Sequence, residues 1–292
     1  MMSPLDRVKD LRRRYPEWTP WLAVIGALLE EIEDPSWDAA VPLGTLSQAS
    51  TVPLLAKADL QVDERAASRT FEKLTRAAAR SSVPQMASVR SASYAKLDVL
   101  RLFQAALNRD SEGLQEFASV AGADPDAFRA VAALAAMPFL HACNRHWASS
   151  LPESWVEGYC PICGAWPAFA DVRGIERARY FRCGGCGAAW QARCLFCPYC
   201  GTTDHEALGT LVPARSESNS AVDTCNGCRG YLKTFTTLQG SSPATVILDD
   251  LASVELDLAA LERGYKRPSA AGYALDVTVT ESNPVAVFAR SD

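Results

Sequence analysis

The first 142 residues of this 292-residue chain contain no cysteine, and the whole chain has only three histidines. No Ser-His-Asp or Cys-His constellation can be assigned from spacing, and no phosphate-binding Gly-rich loop of the Walker type is present. An apolar run of about 20 residues, the length a membrane-spanning helix needs, is missing too. The best candidate, Val131 to Cys143, is shorter and is interrupted by Pro138 and His141. Met1 to Tyr15 carries Asp6, Arg7, Lys9, Asp10 and Arg12 to Arg14 with no apolar stretch behind them, unlike a secretory signal. A cytoplasmic location is therefore expected. Long basic tracts are also absent, and 34 acidic against 29 basic residues leave a formal charge of -5. That field repels nucleic acid and anionic lipid, so a polyanionic partner would need a local basic patch. With 48% hydrophobic and 22% charged residues the chain is globular, with room for one or two domains.

What is present divides the chain by composition. Residues 1–150 read as a helical domain, with apolar stripes following cap signals. Thr19-Pro20 precedes Leu22, Ile25, Leu29 and Ile32; Asp63 precedes Ala66, Thr70, Leu74 and Ala77; Asp124-Pro125 precedes Phe128, Val131 and Leu134. A further helix is expected over Ala92 to Leu107, striped by Leu97, Leu100, Phe103 and Leu107, and Ala77 to Ala79 and Ala130 to Ala136 suit close helix packing. Pro35 to Pro53, with Pro42 and Gly44, reads as a connection. Residues 151–240 form a cysteine-rich ribbon region. Residues 241–292 read as a strand at Thr245 to Leu248, a helix capped by Asp250 with the stripe Leu251, Val254, Leu258 and Leu261, a stop at Gly264, and a tail.

Nine of the ten cysteines fall between Cys160 and Cys228. They form four pairs of one spacing: Cys160-Pro-Ile-Cys163-Gly164, Cys183-Gly-Gly-Cys186-Gly187, Cys197-Pro-Tyr-Cys200-Gly201 and Cys225-Asn-Gly-Cys228. Two residues between cysteines let the backbone curl so that both sulfurs aim at one ion, and a following glycine permits the left-handed turn that faces N–H groups toward sulfur. Each pair supplies half a tetrahedron. Nineteen residues separate Cys163 from Cys183 and twenty-four separate Cys200 from Cys225, spacings at which two knuckles close one four-sulfur site. Sequential closure, first pair with second and third with fourth, keeps each loop local; crossed closure joins more distant pairs. Sequential closure is expected, giving two metal ions per chain. Arg179 to Arg182 and Gly230 to Thr234 read as strands, so two small ribbons side by side are expected.

Eight paired cysteines leave no coordination position open, which argues for a structural metal and against Lewis-acid catalysis. Thioredoxin-like exchange at one pair lacks its βαβ setting. Cys194 makes an alternative pair with Cys197, but the glycine after Cys200 makes Cys197 with Cys200 the better knuckle, leaving Cys194 spare. Cys143 reads as a small core residue, and His141, His146 and His205 as structural or solvated histidines.

The stretch Cys160-Pro-Ile-Cys163-Gly-Ala-Trp-Pro167, Cys183-Gly-Gly-Cys186 with Trp190, Cys197-Pro-Tyr-Cys200 and Cys225-Asn-Gly-Cys228-Arg-Gly-Tyr231-Leu-Lys233 resembles the FdhE family of formate dehydrogenase accessory proteins. Asp249-Asp250-Leu-Ala-Ser253 followed by Gly264-Tyr265 is similar to the same family's C-terminal segment. The resemblance is specific from about Tyr159 to Tyr265; Cys194 is an addition to the pattern. It implies an α+β fold, an all-helical N-terminal domain followed by two tandem rubredoxin-like or zinc-ribbon modules and a C-terminal helix. It also implies a non-enzymatic cytoplasmic maturation factor that binds the formate dehydrogenase catalytic subunit, with Cys160, Cys163, Cys183, Cys186, Cys197, Cys200, Cys225 and Cys228 as ligands of iron or zinc. Two other readings compete. One is a rubredoxin-like redox protein acting on the dehydrogenase. The other is a zinc-ribbon nucleic-acid binder using Arg173, Arg177, Arg179, Arg182 and Arg193.

Overall fold

Aspartates start four of the eight N-terminal helices in the computed structural model, which describes residues 3–43, 51–81, 83–89, 97–213 and 219–282. The helices are α1 (Pro4–Arg14), α2 (Thr19–Ile32), α3 (Glu64–Ala78), α4 (Pro84–Ser88), α5 (Val99–Asn108), α6 (Ser111–Ala121), α7 (Pro125–Ala135) and α8 (Met137–Trp147). Carboxylates of Asp63, Asp98, Asp110 and Asp124 accept backbone N–H groups at the starts of α3, α5, α6 and α7, satisfying donors a helix cannot satisfy internally. Thr19 does not cap α2. It is already helical, because the 3-10 turn Pro16–Trp18 leads directly into the helix and leaves no extended residue to act as a cap. The helix expected from Ala92 begins at Val99, after the Asp98 cap; residues 92–96 lie outside those described.

The described residues form two compact units, one of 3–43, 57–81, 83–89, 97–142 and 275–282 and the other of 51–56, 143–213 and 219–274, with the division falling inside α8. In the helical unit the expected stripes of α2 and α7 are buried. Part of the stretch read as a connection folds: Pro35–Ala40 is a 3-10 helix that buries Trp37, whose ring stacks on Phe103 at 5.4 Å and meets Phe139 edge-on. Alanines 118, 132 and 136 are buried where α3, α6 and α7 pack closely. The unit also holds a parallel pair of strands, β1 (Asp59–Val62) with β8 (Thr278–Glu281). Asn108 brackets Val277, donating to its carbonyl at 3.0 Å and accepting its N–H at 2.9 Å, while Gln104 accepts from Val279. The chain after Gly264, read as a tail, thus returns to the helical unit. The stretch Pro125–Ser150 is long and apolar enough by composition to cross a membrane, and 78% of its apolar window is buried in the protein.

The second unit is built on one six-stranded sheet rather than two separate ribbons. Its strands are β2 (Pro167–Arg173), β3 (Ala178–Cys183), β4 (Ala189–Gln191), β5 (Leu208–Leu211), β6 (Ser220–Cys225) and β7 (Tyr231–Thr237), in the order β4-β3-β2-β7-β6-β5. Neighbours are antiparallel except β2 and β7, which run parallel with Phe169 opposite Lys233 and Asp171 opposite Phe235. That parallel pair fuses the two ribbon modules. The α+β class with tandem ribbon modules is the observed architecture, and a solved structure of similar fold is described below.

Three expectations for the C-terminal stretch fail: the strand, the cap and the apolar stripe. Thr245 to Leu248 is no strand: Pro243–Thr245 is a 3-10 turn that runs into α9 (Val246–Leu251). Asp250 lies inside α9 and caps nothing; its carboxylate is taken by Lys233 and Arg267 at 2.8 and 2.9 Å. The following helix, α10 (Val254–Glu262), buries Leu256 and Ala260 against Val222 and Tyr231, while Leu258 and Leu261 are exposed. The apolar face is rotated because the polar network around Lys233 fixes which side of α10 meets the sheet. Gly264, at φ +77°, follows the end of α10 as expected.

Candidate metal centres

Each cysteine pair folds into the same backbone knuckle. The N–H of the first cysteine donates to the carbonyl five residues on: Cys160 to Ala165, Cys183 to Ala188, Cys197 to Thr202 and Cys225 to Gly230, each at 2.8 or 2.9 Å. In the first three, a glycine N–H (Gly164, Gly187, Gly201) donates back to the first cysteine's carbonyl, with glycine φ between +65° and +75°. The fourth knuckle puts Arg229 at that place with φ +59°. A side chain is tolerated there because Arg229 stacks on the Tyr265 ring at 4.1 Å and donates to the Arg263 carbonyl.

The strands then set the knuckles in pairs. The first knuckle leads into β2, whose partner β3 ends on Cys183; the fourth knuckle is the turn between β6 and β7, and β5 pairs Leu208 with Cys225. As a result Cys160, Cys163, Cys183 and Cys186 have sulfurs within 4.8 Å of one another, and so do Cys197, Cys200, Cys225 and Cys228. The closure is sequential. Sulfur-sulfur edges are 3.6 Å for Cys160 to Cys186, 3.4 Å for Cys163 to Cys183, 3.6 Å for Cys197 to Cys228 and 3.7 Å for Cys200 to Cys225. A tetrahedron with sulfur-metal bonds of about 2.3 Å has edges of about 3.8 Å, whereas a disulfide brings sulfurs to about 2.05 Å. No disulfide joins any of the ten cysteines, and each cluster has the size that holds one metal ion. Two ions per chain are the capacity of the molecule.

Electrostatics agree with that donor set. Burial, reinforced by the neighbouring sulfurs, pushes the thiols of Cys160 and Cys186 well above the ordinary cysteine range. Several thiolates gathered without a cation are therefore strongly disfavoured, and a bound divalent ion supplies the missing charge while displacing protons. Backbone N–H groups already face the sulfurs: Ile162 toward Cys160, and Gly185 with Cys186 toward Cys183, each at 3.4 Å. At Cys225 burial also raises the thiol, but the N–H groups of Cys228 and Gly227 with the adjoining sulfurs outweigh it and draw the thiol down.

The two centres differ in cover. All four cysteines of the first are buried; in the second Cys200 is exposed and Cys228 half-buried. Around the first, Leu54 and Leu55 donate to the carbonyls of Pro161 and Ile162, Tyr273 donates to the Gly164 carbonyl, and a Cβ on Gly187 would sit 2.6 Å from the Pro243 carbonyl oxygen. Gly201 in the third knuckle has nothing within 4 Å of such a Cβ.

Cys194 lies outside both groups on the surface, and Cys143 is buried in α8. None of His141, His146 and His205 joins a cluster among the described residues. The basic run is largely spent in structure. Arg179 donates to the carbonyls of Arg193, Cys194 and Phe196 and to Asp223, strapping the linker between modules to β6. Arg182 is buried against Asp171 and the Ser241 and Gly187 carbonyls. Sequence reading missed the network that seats the C-terminal helices: Lys233, fully buried, meets both Asp250 and Asp257 at 2.8 Å, Arg267 meets the same two carboxylates, and the Tyr231 hydroxyl donates to Asp257. A signal was present, since Lys233 shares strand parity with Tyr231 and Phe235 on the face that helices cover.

Comparison with known proteins fits this geometry. Residues 192–281, which include the whole second centre, match the family described as FdhE, C-terminal domain. The resemblance to the FdhE family holds. Protein FdhE homologs of Pseudomonas aeruginosa and Aquifex aeolicus are 35% identical over 150 residues and 33% identical over 116 residues, covering 46% and 39% of this chain. The matched stretches span 48% and 40% of those FdhE relatives, less than half their length. A crystal structure of the FdhE protein from Pseudomonas aeruginosa has a similar fold across 93% of this chain and 94% of its own, with TM-score 0.54 and 20% identity.

Proposed function

We propose that this chain is a non-enzymatic accessory factor for formate dehydrogenase maturation, binding the catalytic subunit in the cytoplasm through a metal-stabilised fold. The observation that carries this reading is the pair of closed four-cysteine knuckle clusters in a chain similar to FdhE proteins. We assign Cys160, Cys163, Cys183 and Cys186 to one ion and Cys197, Cys200, Cys225 and Cys228 to the other. Both iron and zinc suit tetrahedral thiolate sets; zinc would supply fixed geometry alone, and a single iron would add one-electron exchange. Closed sites leave no position for a metal-bound substrate, which supports binding over catalysis at the metals.

The test is deletion of the gene in a host that makes formate dehydrogenase, with rescue by the wild-type chain and by Cys160→Ser/Cys163→Ser. Lost dehydrogenase activity restored only by the wild type supports the reading; undiminished activity in the deletion strain contradicts it. A rubredoxin-like redox role is the second reading, and the exposure of Cys200 favours it, since electron exchange needs a centre near solvent. Visible absorption that bleaches with reductant selects it over a colourless zinc protein. The nucleic-acid reading loses support because Arg179 and Arg182 are buried in ion pairs with Asp223 and Asp171.

A further inference from the structure

The helical unit carries a cleft of about 600 Å³ where α1, α2 and α3 meet. Its floor is small and apolar, from Ala23, Gly26, Ala27 and Ala77, and its walls carry Lys9, Arg12, Lys73, Arg76 and Arg80 against one acid, Glu30. In a chain of net charge -5 that concentration of cations is out of keeping with the whole. Part of the charge is already met: Lys9 pairs with Asp6, Arg76 with Glu72, and Lys73 with Glu30 and Glu31. The first two pairs are solvent-exposed and so weak enough to exchange for another carboxylate. Among the described residues, Arg12 and Arg80 pair with no carboxylate. Arg12 gives one guanidinium N–H to the Leu22 carbonyl at 3.1 Å, and its Nε is buried without a hydrogen-bond partner.

We propose that this cleft binds an acidic segment of a protein partner, with carboxylates held between Arg12 and Arg80 and apolar side chains on the alanine floor. Charge complementarity selects an acidic occupant, and the floor selects among acidic occupants. A nucleic acid would leave the apolar floor unfilled, and a lipid surface is too flat to enter a concave cleft, whereas an amphipathic acidic peptide matches both walls and floor. Leu5, 40% exposed at the rim, extends the apolar contact. This site is separate from the metal centres and does not depend on which protein the metal-bearing unit serves.

The probe is a fluorescein-labelled synthetic peptide with glutamates on one helical face and leucines on the other, titrated with the full chain and followed by fluorescence anisotropy. Saturable binding that weakens with added salt is expected, reduced about tenfold or more by Arg12→Glu/Arg80→Glu. Ala27→Gln, which blocks the floor without changing charge, should weaken it as well. Arg177→Glu/Arg193→Glu, on the exposed surface of the other unit, should leave it unchanged. Absence of saturable binding, wild-type affinity in either the Arg12/Arg80 or the Ala27 variant, or equal loss in the Arg177/Arg193 variant would overturn the proposal. So would binding of phosphatidylserine vesicles, but not the peptide, with the same dependence on Arg12 and Arg80. Failure here leaves the dehydrogenase reading untouched, because the deletion and rescue experiment reads dehydrogenase activity and not peptide binding.

Discussion

The two cysteine centres are built from one knuckle and two strand layouts of the same kind, yet one is sealed and the other reaches water. The first is closed over by residues 53–55, the Pro243 turn and Tyr273, and the second leaves Cys200 at the surface. Identical local backbone therefore does not fix accessibility. What fixes it is which distant segments return to cover each knuckle, and those segments come from opposite ends of the chain. The sealed centre is expected to act as a structural staple and the open one to exchange its ion.

The largest effect expected is at the sealed centre. Cys183→Ser leaves three thiols in a buried site, and since thiolate sites of this kind contribute on the order of 10 kcal/mol to folding, the second unit should lose its fold. Loss of both metals with collapse of the unit's amide NMR dispersion checks it, because both centres lie on its one sheet; Cys200→Ser should lose one metal while the unit stays folded. Retained dispersion in Cys183→Ser would erase the contrast.

Next is the charge network behind the second module. Lys233→Met leaves Asp250 and Asp257 with Arg267 as their one cation and should cost about 3 kcal/mol in denaturant unfolding. Burial opposes ionisation of Asp250, but Arg267 and Lys233 outweigh it and hold its carboxyl below the ordinary 3.8. Because the folded pKa is lowered, the stabilisation is complete above the unfolded pKa and lost as pH falls through the folded one. Asp250→Asn should therefore be less stable than wild type at neutral pH, with the gap closing in acid below about pH 4. A gap that widens in acid would reverse the sign of the account.

The glycines sharpen the comparison further. Gly187→Ala drives a Cβ into the Pro243 backbone and should cost about 2–4 kcal/mol, while Gly201→Ala meets no atom and should cost about 1 kcal/mol from its left-handed φ alone. Thermal unfolding of the two variants side by side measures the difference. Smallest of all, Cys194→Ser should change stability by less than about 0.5 kcal/mol and leave metal content intact, because Cys194 is exposed and outside both groups.

The paired cysteines made the knuckles and their grouping legible, because two-residue spacing and a following glycine are local constraints. Asp63 and Asp124 were legible as caps for the same reason. The fusion of two ribbons into one sheet was not, since it rests on β2 pairing with β7 more than sixty residues away. Strand β8, with alternating Thr278, Val279 and Thr280, joins β1 across most of the chain. Thr245 to Leu248 looks like a strand by composition, yet the 3-10 turn at Pro243 leads directly into a helix there. The contrast in cover between the centres was likewise invisible, because it depends on Leu54, Pro243 and Tyr273, none of which carries a motif.

The most direct test of the central claim is metal content by elemental analysis of the folded, as-purified chain, followed over time in a chelator. Two metals per chain are expected, one leaving early and one retained, with the early loss absent from Cys200→Ser because that variant begins with a single ion. A single metal in the wild type, or two ions leaving at one rate, would contradict two centres of unequal cover.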